Sequence, residues 1–483
     1  MPACSQTVED AITIVASLGQ KYLWVDVLCI VQDDPEDMAL NISNMYRIYA
    51  NSFLTLIVAG NGDADRGIPG ISSDRPPQLE AHVGNNVSVY TAAKALRVTE
   101  TGFSVESRWP TRAWMLQEQV LSRRCLAFTE DVMYWFCRCE LWLEDLETEQ
   151  EKLEIWHSTT YNAPEVEAHR AGFHAAPSTS QMDISDLDKS YSDLIRKYSL
   201  RELTREDDVE NAFAGIMAIL PGDFWFGIPV SRFEEFLCWV DDQAYVDQSY
   251  DFSHSSPQVM PRKRKFDNLE VPSWSWMAWR GRLTNASHSA YDFATNVACF
   301  RLWQDPDDVE CRGLAPISDI GRHTDVRGGA LVKLEDIPPG VHLKADHVIF
   351  CADVARLCVE RDDGEDENAM RWMRDVPRYE EASKAVGFRV FNPVLRGYSK
   401  GILERLPPLI LNRFKVSEAD AAAVESHGFH GYDFALIASR GENKFAMRLT
   451  WTDDGIAHRE SVHQMFYGSW DAVQTTRKLI ILG

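Results

Sequence analysis

The sequence predicts an α/β domain with a parallel sheet at its amino end, followed by a mixed α+β region. Three observations carry that expectation. Helical and strand-like segments alternate with short connections from about residue 7 to residue 59, the pattern of strands joined by crossover helices. Within them, Tyr22 to Val31 reads YLWVDVLCIV, apolar or aromatic at every position but Asp26, which fits a strand buried on both faces better than a half-exposed one. From Val271 to Ile481 the chain breaks into many short apolar runs, the mark of a β-rich region.

Thr7 is placed to cap a first helix, with Val8, Ala11, Ile12, Val15 and Leu18 at helical spacing, Asp10 completing a capping box and Gly19 ending it. The strand Tyr22–Val31 follows, and its Asp26 would need a donor or cation to offset lost hydration. Asp34 then serves as an N-cap and Pro35 as a preorganised first turn for a helix carrying Met38, Ile42, Met45 and Tyr49 on one face. Ser52 to Ala59 is a second buried strand. Residues 60 to 78 are loop by composition, and VSVY and KALRV are candidate short strands between 80 and 106. After Pro110 comes a helix in which Trp114, Met115, Gln117 and Glu118 lie within about one turn, then strands at Arg124 to Thr129 and Val132 to Cys137.

These readings divide the chain into an α/β domain over 1–140, a variable connector over 141–188, and an α+β region over 189–483 that is helical at 190–220 and β-rich at 270–483. Asp and Glu number 73 against 49 Lys and Arg, a formal charge of −24, which disfavours nucleic acid and anionic bilayers as partners. Ten scattered cysteines suit reduced thiols rather than a disulfide scaffold. No stretch has the ~20 apolar residues of a membrane helix, so the expectation is a cytoplasmic protein without a membrane span. Cys137 and Cys139 lack a second ligand pair, so no metal is expected. PRKRK at Pro261 to Lys265 and RDDGEDEN at Arg361 to Asn368 are read as solvated loops, and Trp274, Trp276 and Trp279 as a packed cluster.

Three patterns together resemble one family, the fungal heterokaryon incompatibility (HET) domain proteins. The first is the segment from Tyr22 to Ala59, whose helix ends in a Met-x-x-Ile-Tyr signature at Met45, Ile48 and Tyr49. The second is Arg112, Ala113, Trp114, Leu116, Gln117 and Glu118, similar to the family's Arg-Gly/Ala-Trp-x-Leu-Gln-Glu segment. The third comprises the helices from Tyr198 to Gly215 and PSWSWMAW, which resemble segments that commonly follow the domain. The family's opening strand, with its Ser-Tyr-x-Trp-Gly motif, has no counterpart, so the domain is read as lacking its first strand.

The resemblance implies a TIR-like, flavodoxin-like sheet and a role in fungal self/non-self recognition and programmed cell death. TIR domains carry a Trp-x-x-x-Glu element whose Glu serves cleavage of the nicotinamide glycosidic bond of NAD, and Trp114 to Glu118 has that spacing. By this analogy Glu118 is the candidate catalytic carboxylate, with Trp114, Asp26, Asp34 and Arg112 as candidate substrate-binding residues and NAD as a substrate rather than a bound cofactor. Asp26 or the turn at Asp33 and Asp34 would lie near the carboxyl edge of the sheet, where open α/β folds bind ligands. The plainer alternatives are that Trp114 is a core anchor, that Glu118 pairs with Arg112, Arg123 or Arg124, and that Asp34 is only a cap. At the level of the chain, the alternatives are a non-enzymatic module acting by self-association or with an unknown protein partner, and an inactive truncated paralogue.

Overall fold

A computed structural model describes residues 4–60, 62–76, 80–82, 88–90, 98–99, 102–103, 109–137, 141–144, 184–241, 262–286, 293–304, 312–318, 332–362, 387–391, 430–441, 443–465, 470 and 475–483. The chain forms two compact units, Met1–Pro221 with Lys265–Leu269, and Gly222–Arg264 with Glu270–Gly483. Helices and strands are mixed, with a small sheet in the first unit and a large one in the second.

The first unit opens with α1, Gln6–Ser17. Its cap is Ser5 and not Thr7, and the expected capping box does not form. Asp10 is turned inward instead, where its carboxylate accepts from Gln6 Nε2 at 3.0 Å, the Ile68 amide at 2.7 Å and the Ser72 hydroxyl at 2.5 Å. A buried carboxylate with three donors ties a distant loop to the helix. Gly19 ends the helix at φ +70°, as expected for a residue without Cβ.

The strand expected at Tyr22 to Val31 is not observed. Among the described residues the chain has no ladder partner up to Val25, after which it makes one helical turn, α2, Asp26–Cys29. The cause is local. The Asp26 carboxylate accepts the Val27 amide at 2.7 Å and its carbonyl accepts the Ile30 amide at 3.0 Å, and such short-range bonding by Asp competes directly with a ladder. Asp26 is therefore exposed and not buried, as are Tyr22, Val27, Leu28 and Val31.

The helix predicted after it is α3, Pro35–Asn51, with Asp34 as N-cap accepting the Glu36 amide at 2.9 Å and the Asp37 amide at 3.3 Å. β1, Thr55–Val58, follows. Two short hairpins, pairing Glu80–His82 with Ser88–Tyr90 and Val98–Thr99 with Gly102–Phe103, lie between it and α4, Trp114–Leu121. β2 (Arg124–Phe128), β3 (Met133–Cys137) and β4 (Leu141–Leu143) complete a sheet in the order β1-β2-β3-β4.

The expected parallel sheet forms only in part. β1 and β2 are parallel, but β3 and β4 are antiparallel additions. The turn explains the change of direction: Thr129 bonds to the Val132 carbonyl through both its amide and its hydroxyl, folding β2 straight back on itself. Ile57, Ala59, Met115, Cys125, Ala127, Val132 and Tyr134 form the core between sheet and helix.

Two further helices complete this unit, α5 (Ile184–Ser199) and α6 (Asn211–Ile219). Gly215 lets α6 approach closely, since a Cβ there would come within 2.6 Å of Gln117 Oε1 and 3.0 Å of the Tyr46 Cβ. Residues 145–183, most of the expected connector, lie outside the described residues.

In the second unit the tryptophan cluster is packed as expected. Trp274 and Trp276 are buried, and their indoles donate to the carbonyls of Asp346 at 3.1 Å and Gly227 at 2.7 Å. The large sheet joins β5 (Phe293–Thr295), β6 (Phe300–Gln304), β7 (Arg312–Pro316), β8 (Val348–Asp362), β9 (Gly387–Phe391), β10 (His430–Arg440), β11 (Asn443–Trp451), β12 (Ala457–Met465) and β13 (Thr476–Leu482). β10 through β13 pair in succession, β13 pairs with β8, and β8 pairs back to β10, so these strands close on themselves.

Two buried charged groups in this unit find partners inside the protein. Glu234 accepts the Cys299 amide at 3.0 Å and the Ser318 hydroxyl, and Arg459 donates to the carbonyls of Leu237 and Trp239 while stacking 3.3 Å from the Trp239 ring. Arg262 and Lys263 of the basic run form a short strand against Trp279–Arg280 rather than a loop. RDDGEDEN lies outside the described residues from Asp363 onward.

Candidate functional site

Glu118, in the middle of α4, is the centre of a charged cluster in the first unit. It is half-buried. Burial drives its carboxyl up to about 7; the Tyr49 hydroxyl, as a hydrogen-bond partner, opposes that rise, Asp26 adds to it, and the guanidinium groups of Arg112 and Arg201 oppose it. Each neighbour comes from a different element: Asp26 from α2, Tyr49 from the last turn of α3, Arg112 from the residue pair before α4, and Arg201 from just beyond α5.

The Tyr49 hydroxyl is held in its protonated form, first by burial and then by the Glu118 charge beside it. Its ring meets Trp24 edge-on at a centroid distance of 6.0 Å. Arg201 is 1 % exposed and its guanidinium donates to the Arg112 carbonyl and, through Nε, to the Lys197 carbonyl, each at 3.2 Å. Burial lowers Arg201 to about 9, with Glu118 and Tyr198 opposing the fall, so it remains cationic at neutral pH. Arg112 itself is exposed.

The backbone fixes this arrangement. The Ala113 amide donates to the Glu202 carbonyl at 2.9 Å and the Glu202 amide to the Thr111 carbonyl at 2.6 Å, a parallel bridge that pins the start of α4. At the other end of the helix the Ser122 hydroxyl donates to the Glu118 carbonyl at 2.6 Å and lies 2.6 Å from the Thr55 hydroxyl. Thr55 is the first residue of β1 and pairs with Cys125, whose thiol is pushed up to about 12 chiefly by burial, with Glu118 adding to the rise. The cluster thus lies beside the amino ends of β1 and β2, and not at the carboxyl edge where ligands were expected.

Of the candidate residues, Glu118, Asp26 and Arg112 are brought together. Trp114 is half-buried against the core, with its indole a hydrogen-bond partner of Asp208. Asp34 is occupied as the cap of α3, at the helix end opposite Tyr49. Tyr49 and Arg201 were not among the candidates. Tyr49 belonged to a recognised signature without being assigned a role, while nothing in the sequence around Arg201 links it to Glu118.

The arrangement places a carboxyl group able to gain or lose a proton near neutral pH between a phenol donor and two guanidinium groups. That suits general acid–base work or the stabilisation of a developing positive charge. Among the described residues no group of three or more His, Cys, Asp or Glu could hold a metal ion, and no helix is long and apolar enough to cross a membrane. Cys139 lies outside the described residues.

The first unit is therefore a small α/β unit with a charged cluster on its crossover helix. Its residues 2–118 match the family model described as Heterokaryon incompatibility protein (HET). The match bears out the resemblance drawn from Met45, Ile48 and Tyr49 and from Arg112 to Glu118, and its last residue is Glu118 itself. Neither the curated proteins nor the solved structures contain a match to the chain.

Proposed function

We propose that the HET domain of this chain acts in fungal self/non-self recognition that leads to programmed cell death, and that it does so by cleaving the nicotinamide glycosidic bond of NAD as TIR domains do. One observation supports the chemical half of this reading above others: Glu118 sits in a half-buried charged cluster where burial raises the proton affinity of its carboxyl to near neutral pH. The Trp-x-x-x-Glu spacing of Trp114 and Glu118 and the HET match support the rest.

In this reading the bond between ribose C1′ and the nicotinamide nitrogen breaks, and nicotinamide leaves as a neutral molecule with the bonding electron pair. The ionised Glu118 stabilises the oxocarbenium charge that develops on the ribose, as glycosidic cleavage requires. Water then bonds to C1′ and releases a proton, which Glu118 accepts and passes to solvent. The exposed Arg112 faces the diphosphate, and the Tyr49 hydroxyl orients the carboxylate.

The test is to incubate the full-length chain with NAD and follow nicotinamide release. Release by the parent chain and a fall of at least about 100-fold in Glu118→Ala is the expected result; equal rates in both would remove the assignment. Because the ionised form is the working one, kcat/KM should rise with pH and level off above about 7.

One observation favours a second reading, a non-enzymatic module that signals by association. Tyr22, Val27, Leu28 and Val31, which a strand would have buried, stand exposed within ten residues, Tyr22 by 91 %, and clustered exposed apolar side chains mark association surfaces. A chain that self-associates and triggers death with undiminished cellular NAD would support it.

A further inference from the structure

Arg201 lies outside the residues that match the HET family, yet its side chain is buried beside the start of the helix that carries Glu118. We propose that Arg201 is a positioning residue of the Glu118 site, so that the working site extends beyond the matched segment into the helical region that follows it. This rests on the reading that Glu118 is the working carboxylate.

The geometry makes two connections. Arg201 Nη1 donates to the Arg112 carbonyl at 3.2 Å and Nε to the Lys197 carbonyl at 3.2 Å, so one guanidinium joins the end of α5 to the residue pair preceding α4. The adjacent residue, Glu202, exchanges backbone bonds with Thr111 and Ala113. Side chain and backbone together hold the entry to α4 in one place, and a helix fixed at its entry presents its fifth residue at a set position.

The second connection is electrostatic. Facing Glu118 are Asp26 from α2, Tyr49 from α3, Arg112 before α4, Cys125 from β2 and Arg201 beyond α5. Asp26 works against ionisation of Glu118, while the two arginines favour it. Arg112 acts from an exposed position and Arg201 from a buried one, and the effect of Arg112 on Glu118 is at least as large. Lys197, Asp193 and Tyr198 of α5 surround the Arg201 side of this arrangement.

The test uses the full-length chain and needs no substrate. Melting temperature is followed from pH 4.5 to 9 for the parent, Arg201→Gln and Arg201→Lys, each with and without Glu118→Gln. Within each pair, the difference reports protonation of residue 118 alone. The expected midpoint of that difference moves up by about one pH unit in the Arg201→Gln pair and stays within about half a unit in the Arg201→Lys pair. An unchanged midpoint in the Arg201→Gln pair would overturn the proposal.

Should Arg201→Gln fail to fold, the double variant with Glu118→Gln decides the matter. Recovery of a cooperative transition supports the coupling, because the unanswered carboxylate has been removed. An equally unfolded double variant would reduce Arg201 to a packing anchor and overturn it. Failure of NAD cleavage leaves these midpoints readable, so the two readings fail separately.

Discussion

Glu118 is held where its charge is disfavoured, and that has a measurable sign. An ordinary Glu in the unfolded chain loses its proton near 4.5, while the folded chain holds this one up to about 7. Between those values the native state binds a proton that the unfolded state has released, so stability falls as pH rises through the window and the full cost is present above it. A shift of this size corresponds to on the order of 3 kcal/mol. Glu118→Gln removes the titration while keeping the shape. It should therefore resist denaturant better than the parent at pH 8 and match it near pH 4.5. A variant weaker than the parent at pH 8 would mean that the carboxylate's interactions with Tyr49, Arg112 and Arg201 outweigh its burial. Such a trade of stability against a poised group is common where a residue serves chemistry rather than packing.

At the scale of elements, Asp34 and Asp26 show what local chemistry decides. Both are Asp residues beside a turn, and both bond to nearby backbone amides. At Asp34 this starts a helix that Pro35 and an apolar face continue, and the helix was legible because cap, proline and periodicity agree. Asp34→Ala should destabilise α3 by about 1 kcal/mol in equilibrium unfolding, while leaving nicotinamide release at a temperature well below melting unchanged, since the cap is at the far end from Tyr49. A proportional loss of activity would instead return Asp34 to the site. At Asp26 the same bonding ends an extended run whose composition argues for a strand. Apolar content alone does not make a strand; a partner must take up its amides and carbonyls, and no such partner lies beside Tyr22 to Val25 among the described residues. α1, α3, α4, α5 and α6, with β1, β2 and β3, were legible from period and length, whereas α2 was not. The antiparallel turn at Thr129 was not, because direction depends on a four-residue turn that composition barely marks. Within the site, Glu118 and Arg112 share a local motif and could be read together. Arg201 reaches them through tertiary contact alone, and such a contact leaves no pattern in one sequence.

At the scale of the whole molecule, the family match and the folding unit have different ends. The match stops at Glu118, but among the described residues β1 finds its ladder partner in β2, at Arg124–Phe128, and α4 packs over a core that includes Cys125, Ala127, Val132 and Tyr134. A chain cut at 118 would leave the amides and carbonyls of β1 unpaired and expose the apolar face of α4, losses far larger than the few kcal/mol by which a small domain is stable. The unit also includes Lys265–Leu269, where the amides of Asp267 and Asn268 donate to the Asp207 carboxylate at 2.8 and 3.0 Å. Those contacts are exposed and join a short turn, so their removal costs little. Residues 4–118 should therefore show no cooperative melting by circular dichroism, whereas residues 4–221 should melt cooperatively and keep the pH dependence that Glu118 imposes. Cooperative melting of the shorter fragment would mean that α1, α3, β1 and α4 form a stable core without β2, and that Arg201 is an accessory to a site the matched residues already complete.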